Sequence, residues 1–586
     1  MTSPDVAAAV PRPELTVRAV VTGMLIGALL TPCNVYSGLK IGWSFNMSIA
    51  AGLLGFGWWR ASQWAFGTRP WGLYENNINQ TAASSSASII SGGLVAPIPA
   101  LTMLTGQSLP WPYLMVWVFV VSILGVVVAA GLRNQMLVRD HLTFPAGVAT
   151  AETIREIHSH GREAAQRLRV LILGAVAAGS VKLADAAFML PRLAPPFAVQ
   201  GASAANLGFV LDPSLLMVGF GTIIGLRAGL SLLLGAVLAW GILGPAVVAR
   251  GWVPPGPADP VIAWFPNLVE WLLWPGVTLM VASALASFAI ALGRSWLRRS
   301  VDAEPAAVPV LPRRAFLAGL AVTMAMAVAA QIGLFHIHLT EAVLAVLLSY
   351  VLAVVAARVS GETGITPIGA MGKITQLTFG VISPGNVVTN LMSANVTGGA
   401  AGQCADLLHD LRTGQLIGAT PRFQIIAQAF GVLAGSLVGS LVYLLLIPDP
   451  AAMLMTAEWP APAVAVWKAV AEVMGRGVEA IPHGAVPAMI LGGGAGLVLA
   501  IAENVLPPKF AKMLPSATSV GLAFVIPAWN SLSLALGAVA AALLARFAPE
   551  WTKRRLIAVA AGLVAGESLV GVAMAAASMF AFPGHG

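Results

Sequence analysis

Charge is scarce in this sequence. Only 10% of its 586 residues are charged against 58% hydrophobic, and the mean hydropathy is +0.84. Soluble domains carry about 25% charged residues, so that class is excluded. Cysteine is scarcer still. Cys33 and Cys404 make no CxxC and could form one bridge at most, which rules out a disulfide framework; the plain reading of both is a small buried hydrophobe. The opening stretch "MTSPDVAAAVPRPELTVR" lacks the apolar core and cleavage site of a signal peptide and is expected to stay as a cytosolic tail. No heptad run, low-complexity tail or soluble domain is present.

The parts of several catalytic and cofactor sites are missing too. In "GETGITPIGAMGKITQLTFG" (361–380) the residue five before Gly372 is Pro367, and Lys373 is followed by Ile374. A phosphate-binding loop needs glycine at the first place and Ser or Thr after the lysine, so ATP hydrolysis is excluded. Neither G-x-S-x-G nor H-E-x-x-H occurs, which removes the usual hydrolases. Histidines in "EIHSH" (His158, His160) and "FHIHL" (His336, His338) stand two apart, a spacing that points them to different helix faces, and no third ligand accompanies them. No enzyme, cofactor or built-in metal site is expected.

Repeated apolar runs are what the chain does have. Each is about the 20 residues needed to cross a bilayer core, and they are apolar all round rather than alternating. The fold expected is therefore an all-α polytopic membrane protein with about 14–17 transmembrane or re-entrant segments. Pro213–Leu226 and Leu230–Val248 read as two of them, and Ser516–Phe547 as one that "IPAWN" breaks in two. The net charge of +8 is no nucleic-acid signal, because the basic residues cluster in short loops (131–169, 293–314, 545–555). Such loops are retained on the cytosolic side. The basic linker 293–314 divides the chain into membrane halves 1–292 and 315–586. The stretches "LTFPAGVAT" (142–150) and "LPSATSVG" (514–521) suggest that the halves are structurally related.

Four polar stretches interrupt the apolar runs. They are 31–48 with Asn34, Tyr36 and Lys40; 74–88 with Glu75, Asn76, Asn77, Asn79 and Gln80; 361–380 with Glu362, Thr366, Lys373 and Gln376; and 383–410 with Asn386 and Asn390. Freed backbone groups cost several kcal/mol each in hydrocarbon unless they face protein or water, so a break at membrane depth points to a cavity. Amides that both donate and accept suit peptide-like groups, and a lysine suits a carboxylate. The alternatives are a snorkelling surface position for Lys373 and Glu362, and polar glue between helices for the serine ladder. Asp406, Asp410, Arg412 and Arg422 read as a cytosolic loop joining two spans. Glu567, in "AGLVAGESLVGVAM", is the most isolated carboxylate in an apolar run. With Glu75 as the other candidate it is assigned to proton coupling, because an ionisable group at membrane depth is expected to serve a partner or an ion path.

The segments "NVYSGLKIGW", "ENNINQTAASSSAS", "GAMGKITQLTFG", "DLLHDLRTGQLIGATPRFQ" and "AGLVAGESLVG", in this order, resemble the signature segments of the oligopeptide transporter (OPT) family. That family includes the yellow stripe-like metal–chelate carriers. The resemblance runs from about Asn34 to Gly571. It implies cation symport, usually with protons, of small peptides, modified peptides or metal chelates, and no cofactor. Related eukaryotic chains often read TDxNP where this chain has "ETGITP", which adds Glu362 to the coupling candidates. The compact chain looks like a bacterial member of the inner (plasma) membrane, multi-pass with a cytoplasmic N-terminus. Its expected partners are the substrate, protons and lipid, with no nucleic acid and a homodimer left open. An intramembrane enzyme and a passive channel are the rival classes.

Overall fold

In hydrocarbon an apolar run can satisfy its backbone polar groups only within itself, and the computed structural model is accordingly helical. It describes residues 13–44, 46–159, 161–297, 312–364 and 366–581. Most of the expected tail (1–12) and the middle of the linker (298–311) lie outside the described residues. The first helices are α1 (Val17–Ile41), α2 (Ser48–Phe66), α3 (Leu73–Ala87), α4 (Pro97–Thr105), α5 (Trp111–Arg133), α6 (Pro145–Ser159) and α7 (Gly161–Phe188). Next come α8 (Leu215–Ala236), α9 (Gly244–Ala249), α10 (Phe265–Leu297), α11 (Arg313–Phe335), α12 (Leu339–Thr363), α13 (Ile368–Ile382) and α14 (Val387–Ile417). The rest are α15 (Pro421–Leu446), α16 (Pro450–Met453), α17 (Pro462–Arg476), α18 (Ala485–Val505), α19 (Pro508–Ala511), α20 (Ala517–Ala523), α21 (Ala528–Phe547) and α22 (Pro549–Ala581).

Twelve helical stretches among the described residues are long and apolar enough to cross a membrane, so the chain is an all-α, multi-pass membrane protein. The expected number of segments also counted shorter or more polar ones. Among these, α13 has 15 residues, and α14, with 31, carries Asn, Thr, Gly and Gln yet is buried along most of its length.

Local chemistry decides where the helices stop. The stretch "TPCNVYSGLK" was expected to break a span, but α1 continues through it in spite of Pro32, and the chain turns only at Gly42, whose φ is 73°. The Thr31 hydroxyl donates to the Gly27 carbonyl at 2.7 Å inside this helix. After α12 the chain leaves the helix at Gly364, with φ 79° in the left-handed region where a side chain would be strained. Gly369 and Gly372 then lie inside α13. Leu215–Ala249 is helical on both sides of Gly225 (φ 82°, ψ 167°), whose non-helical backbone divides it where the two expected segments Pro213–Leu226 and Leu230–Val248 meet. Ser516–Phe547 does divide, into α20 and α21.

Two groups of helices emerge from the packing. α7, α8, α21 and α22 pack chiefly on one another and continue through α20 to α10 and α18; α1, α3, α5, α11, α12, α13, α14 and α15 form the other group. Each group draws helices from both sides of the linker. Within the first group, Gly562 and Gly566 of α22 stand one turn apart. They let the α7 backbone at Leu171 and Ala175 come so near that any Cβ there would collide. Gly566→Leu is therefore expected to cost about 1–3 kcal/mol or more through overpacking, read as a lowered melting temperature in detergent. An unchanged melting temperature would show that this contact can open freely.

The two ends of the bundle are distinguishable. Arg554 pairs with Glu163 at 3.6 Å, Arg555 donates to Gln166 at 2.8 Å, and Arg155 donates to the Leu416 carbonyl, so the basic stretches 131–169 and 545–555 share one face. α7 starts there and ends at the opposite face, where α1 also ends.

Candidate functional site

A cavity of about 690 Å³ lies between the two groups at the face opposite the basic loops, lined by residues of α1, α7, α8, α21 and α22 and of the 189–214 and 457–458 segments. Tyr36 and Lys40 come from the last turns of α1, and Lys182 and Asp185 from the end of α7. Asp212 and Ser214 precede α8, Asn530 opens α21, and Glu567 comes from the middle of α22.

The sequence "LDPSLLM" explains the floor. Ser214 caps α8, its hydroxyl accepting from the Met217 N–H at 3.4 Å. The Glu567 carboxylate reaches across from α22 to the same helix end. It accepts from the Ser214 hydroxyl at 2.8 Å and from the Leu216 N–H at 2.7 Å. A helix N-terminus with open amide donors is a ready site for an anion, which is why a carboxylate is tolerated there at 6% exposure.

The opposite wall is aromatic and basic. The Lys40 ammonium lies 4.7 Å from the Trp459 ring centroid and 5.6 Å from that of Tyr36, and it donates to the Glu458 carbonyl. Tyr36 and Trp459 meet edge to face at 5.2 Å. At the mouth Arg192 joins Asp212 (3.0 Å) and Asp185 (3.4 Å), tying the 189–214 segment to the end of α7. The cavity therefore offers ammonium groups (Lys40, Lys182) and carboxylates (Asp185, Asp212, Glu567) beside an aromatic surface. Such a site can hold a small solute that carries both charges.

Of the residues singled out from the sequence, the structure brings Tyr36, Lys40 and Glu567 together in this cavity. Lys373, Gln376 and Asn390 form a second cluster, buried between α13, α14 and α17. The Lys373 ammonium donates to the Gln376 side-chain oxygen at 2.7 Å and sits 4.1 Å from the Trp467 ring centroid, and it makes no ion pair with a described residue. Gln376 donates to Asn390 Oδ1 at 3.1 Å and to the Trp467 carbonyl at 3.2 Å, and Asn390 donates back to the Gln376 carbonyl at 2.6 Å.

The other candidates lie elsewhere. Asn34 donates to the Ala87 carbonyl at 2.9 Å. Asn76 and Asn77 are fully buried in α3, and neither side-chain polar atom of Asn77 has a hydrogen-bond partner among the described residues. Gln80 donates to Asp410 Oδ1 at 2.5 Å. Glu75 is held at the basic face by Arg18, Arg69 (2.8 Å) and the Thr16 hydroxyl (2.7 Å). Glu362 is exposed at the end of α12, 3.6 Å from Arg358. Thr366 is bonded to Ser360 at 2.9 Å, and Asn386 caps α14 by accepting from the Thr389 N–H at 3.0 Å.

One reading is corrected outright. Asp406, Asp410 and Arg412 are not in a loop but in α14, and Arg422 is the second residue of α15. Asp410 is 2% exposed, its Oδ1 accepting from Gln80 and its backbone carbonyl from Gln424. Lys182, Asp212, Ser214 and Trp467 were missed as well. Only Ser214 carried a local signal, the Asp-Pro-Ser helix start ahead of an apolar run.

The sequence model of the family described as "OPT oligopeptide transporter protein" matches residues 14–578. The chain is 24% identical to the "Putative oligopeptide transporter YGL114W" of Saccharomyces cerevisiae, over 95% of both chains. It is 25% identical to the "Metal-nicotianamine transporter YSL2" of Arabidopsis thaliana, over 95% of this chain and 92% of that one. The same identity and 95% coverage hold for the "Probable metal-nicotianamine transporter YSL9" of Oryza sativa subsp. japonica, of which 88% is covered. A match along nearly the whole membrane region, on a helical fold with twelve candidate spans among the described residues, means that this chain belongs to the OPT oligopeptide transporter family.

Proposed function

We propose that this transporter is a secondary active symporter that takes up short peptides or peptide-like compounds, is driven by the proton gradient, and works by alternating access at the seam between its two helix groups. The observation that carries the reading is the cavity itself, where Lys40 and Lys182 stand on different elements from Glu567 and Asp212. A zwitterionic peptide places its carboxylate by the lysines and its ammonium by the acids, and the Tyr36–Trp459 surface takes a side chain. With the basic loops on the cytosolic side, the N-terminus is inside and the cavity opens outward to the medium, in the inner (plasma) membrane.

The buried cluster of Lys373, Gln376 and Asn390 is a second station, reached as one group moves against the other, with further amides at Asn34, Asn76, Asn77 and Gln80 along the way and Thr366 and Asn386 at its borders. Glu567 couples the proton. As an anion it holds the start of α8; protonated, it loses acceptor capacity there, so its charge biases the position of α8 against α22. Glu75 and Glu362 are further coupling candidates. Lys373→Ala is expected to weaken binding of anionic substrates by about tenfold or more, the scale of one hydrogen bond to a charged group. Unchanged affinity would remove Lys373 from the path.

A metal–nicotianamine chelate is the second reading, favoured by the names that two of the relatives carry. Both are tested by one panel: proteoliposomes with an imposed pH difference, offered labelled dipeptides, end-blocked dipeptides, glutathione and metal chelates. Accumulation of free dipeptides that collapses with a protonophore is expected. Competition by chelates alone supports the second reading, and downhill equilibration alone means a channel.

A further inference from the structure

Carboxylates near or within the bundle are mostly accounted for by a positive partner. Glu75 has Arg18 and Arg69, Glu362 has Arg358, Asp212 has Arg192, and Glu567 has the amide end of α8. Asp410 is different. It is 2% exposed, makes no ion pair with a described residue, and receives a single side-chain bond at its Oδ1, from Gln80 of α3 at 2.5 Å. Its Oδ2 has no hydrogen-bond partner among the described residues. Around it the chemistry is rich in acceptors and poor in donors. Gln424 of α15 spends its amide N–H on the Asp410 carbonyl at 2.6 Å, and the side-chain oxygens of Gln80 and Gln424 have no donor among the described residues.

The groups facing this point from each neighbouring element leave its charge uncompensated. α3 presents Gln80, α15 presents Gln424, and α6 presents Gly147, whose carbonyl accepts from Thr413 at 2.9 Å. α12 presents Ser360, bonded to His409 at 3.1 Å. Neither Arg133 at the end of α5, which donates to Asn134, nor Lys373 of α13, which donates to Gln376, makes an ion pair with Asp410. On α14 itself Asp406 makes no ion pair with a described residue, and Arg412 donates to Gln415 at 2.8 Å. An unpaired buried anion next to unpaired acceptor oxygens is unstable by several kcal/mol, on the order of a broken buried ion pair. One proton on Oδ2 removes the charge and supplies a missing donor.

We propose that Asp410, with Gln80 and Gln424 around it, is a second proton site of the transport cycle, on the basic-loop side of the bundle and separate from the cavity that holds Glu567. Leu416, six residues further along α14, is bonded by Arg155 of the basic face, so Asp410 lies under two turns from that face. The site holds its proton while α3, α14 and α15 are closed on it, and releases it when their separation admits water. The role in transport rests on the symporter reading above; the protonation itself does not.

Two measurements on the full-length protein test it. The first is infrared difference spectroscopy in lipid. A carbonyl band of a protonated buried carboxyl is expected in the wild type and in Glu567→Gln, and is expected to be lost in Asp410→Asn. A band that survives in Asp410→Asn overturns the site, whatever transport does. The second is uptake. Asp410→Asn keeps the geometry of the bond from Gln80, so a purely structural aspartate tolerates it better than Asp410→Glu. A proton site gives the reverse: Asp410→Asn loses accumulation against a gradient while keeping substrate counterflow, and Asp410→Glu retains accumulation. Accumulation by Asp410→Asn with the wild-type pH profile overturns the coupling role. So does accumulation driven by a sodium gradient that Asp410→Asn abolishes, because the site then takes sodium rather than a proton. If no protein accumulates substrate but the band behaves as stated, the symporter reading falls and the proton site stands.

Discussion

Glu567→Gln is expected to reduce pH-driven uptake in proteoliposomes to the level seen with a protonophore. The carboxylate accepts from two donors, the Ser214 hydroxyl and the Leu216 N–H. An amide offers one oxygen to that pair and turns its own NH₂ toward the other donor. The neutral side chain also keeps one charge state throughout the cycle, so it can no longer tell α8 which way to lean. Because the mispaired donor costs about 1–3 kcal/mol, the melting temperature is expected to fall modestly, and Ser214→Ala serves as the control that removes one donor and leaves the acid in place. Ser214→Ala is expected to keep proton-driven accumulation. Full pH-dependent uptake by Glu567→Gln would remove this carboxylate from coupling.

Arg18→Ala is expected to have the largest effect on folding. Glu75 is 1% exposed, and Arg18 engages both of its oxygens, with Nε donating to Oε1 at 2.8 Å and Nη2 bonding Oε2. The same guanidinium donates to the Pro70 carbonyl at 2.9 Å and lies over Trp59 and Trp71, 4.8 and 5.2 Å from their ring centroids. Arg69 also reaches Glu75, but from an exposed position that solvent screens. Truncating Arg18 thus leaves a buried carboxylate with its weaker partner, a loss of about 3–5 kcal/mol by the usual cost of breaking such a pair. A sharp fall in melting temperature is expected, with partial recovery in Arg18→Ala/Glu75→Gln, where the stranded charge is gone. If the double variant melts as low as the single one, packing of the guanidinium on the tryptophans is the main contribution. Glu75→Gln alone, assayed for uptake at several pH values, separates this anchoring role from coupling.

The sequence showed the class of molecule plainly because desolvation leaves a mark on every residue of a span. Runs such as "AVLAVLLSYVLAVVAA" before Gly361 had no other physical explanation. Breaks were less legible. Pro32 and the polar residues after it sit within α1, because side chains and neighbouring helices satisfy what proline removes, whereas Gly364 ends α12 outright. The cavity was half legible. Tyr36, Lys40 and Glu567 stood out as polar groups in apolar surroundings. Their counterparts Lys182, Asp212 and Arg192 lie in or beside a segment that looks like an ordinary polar connection, and only the packing of α22 against α1, with α7 and α8 on α22, brings them near. Asp410 failed for the opposite reason. Beside His409 and Arg412 it resembles a soluble loop, and the glutamines that bury it come from α3 and α15, 330 and 14 residues away in sequence.

The most direct test is cryo-electron microscopy of the protein in lipid nanodiscs with an accumulated dipeptide. Density is expected in the 690 Å³ cavity, with the peptide carboxylate against Lys40 or Lys182 and its ammonium toward Glu567 or Asp212. An empty cavity, with the dipeptide bound at the lipid-facing surface or on the exposed loops, would contradict it.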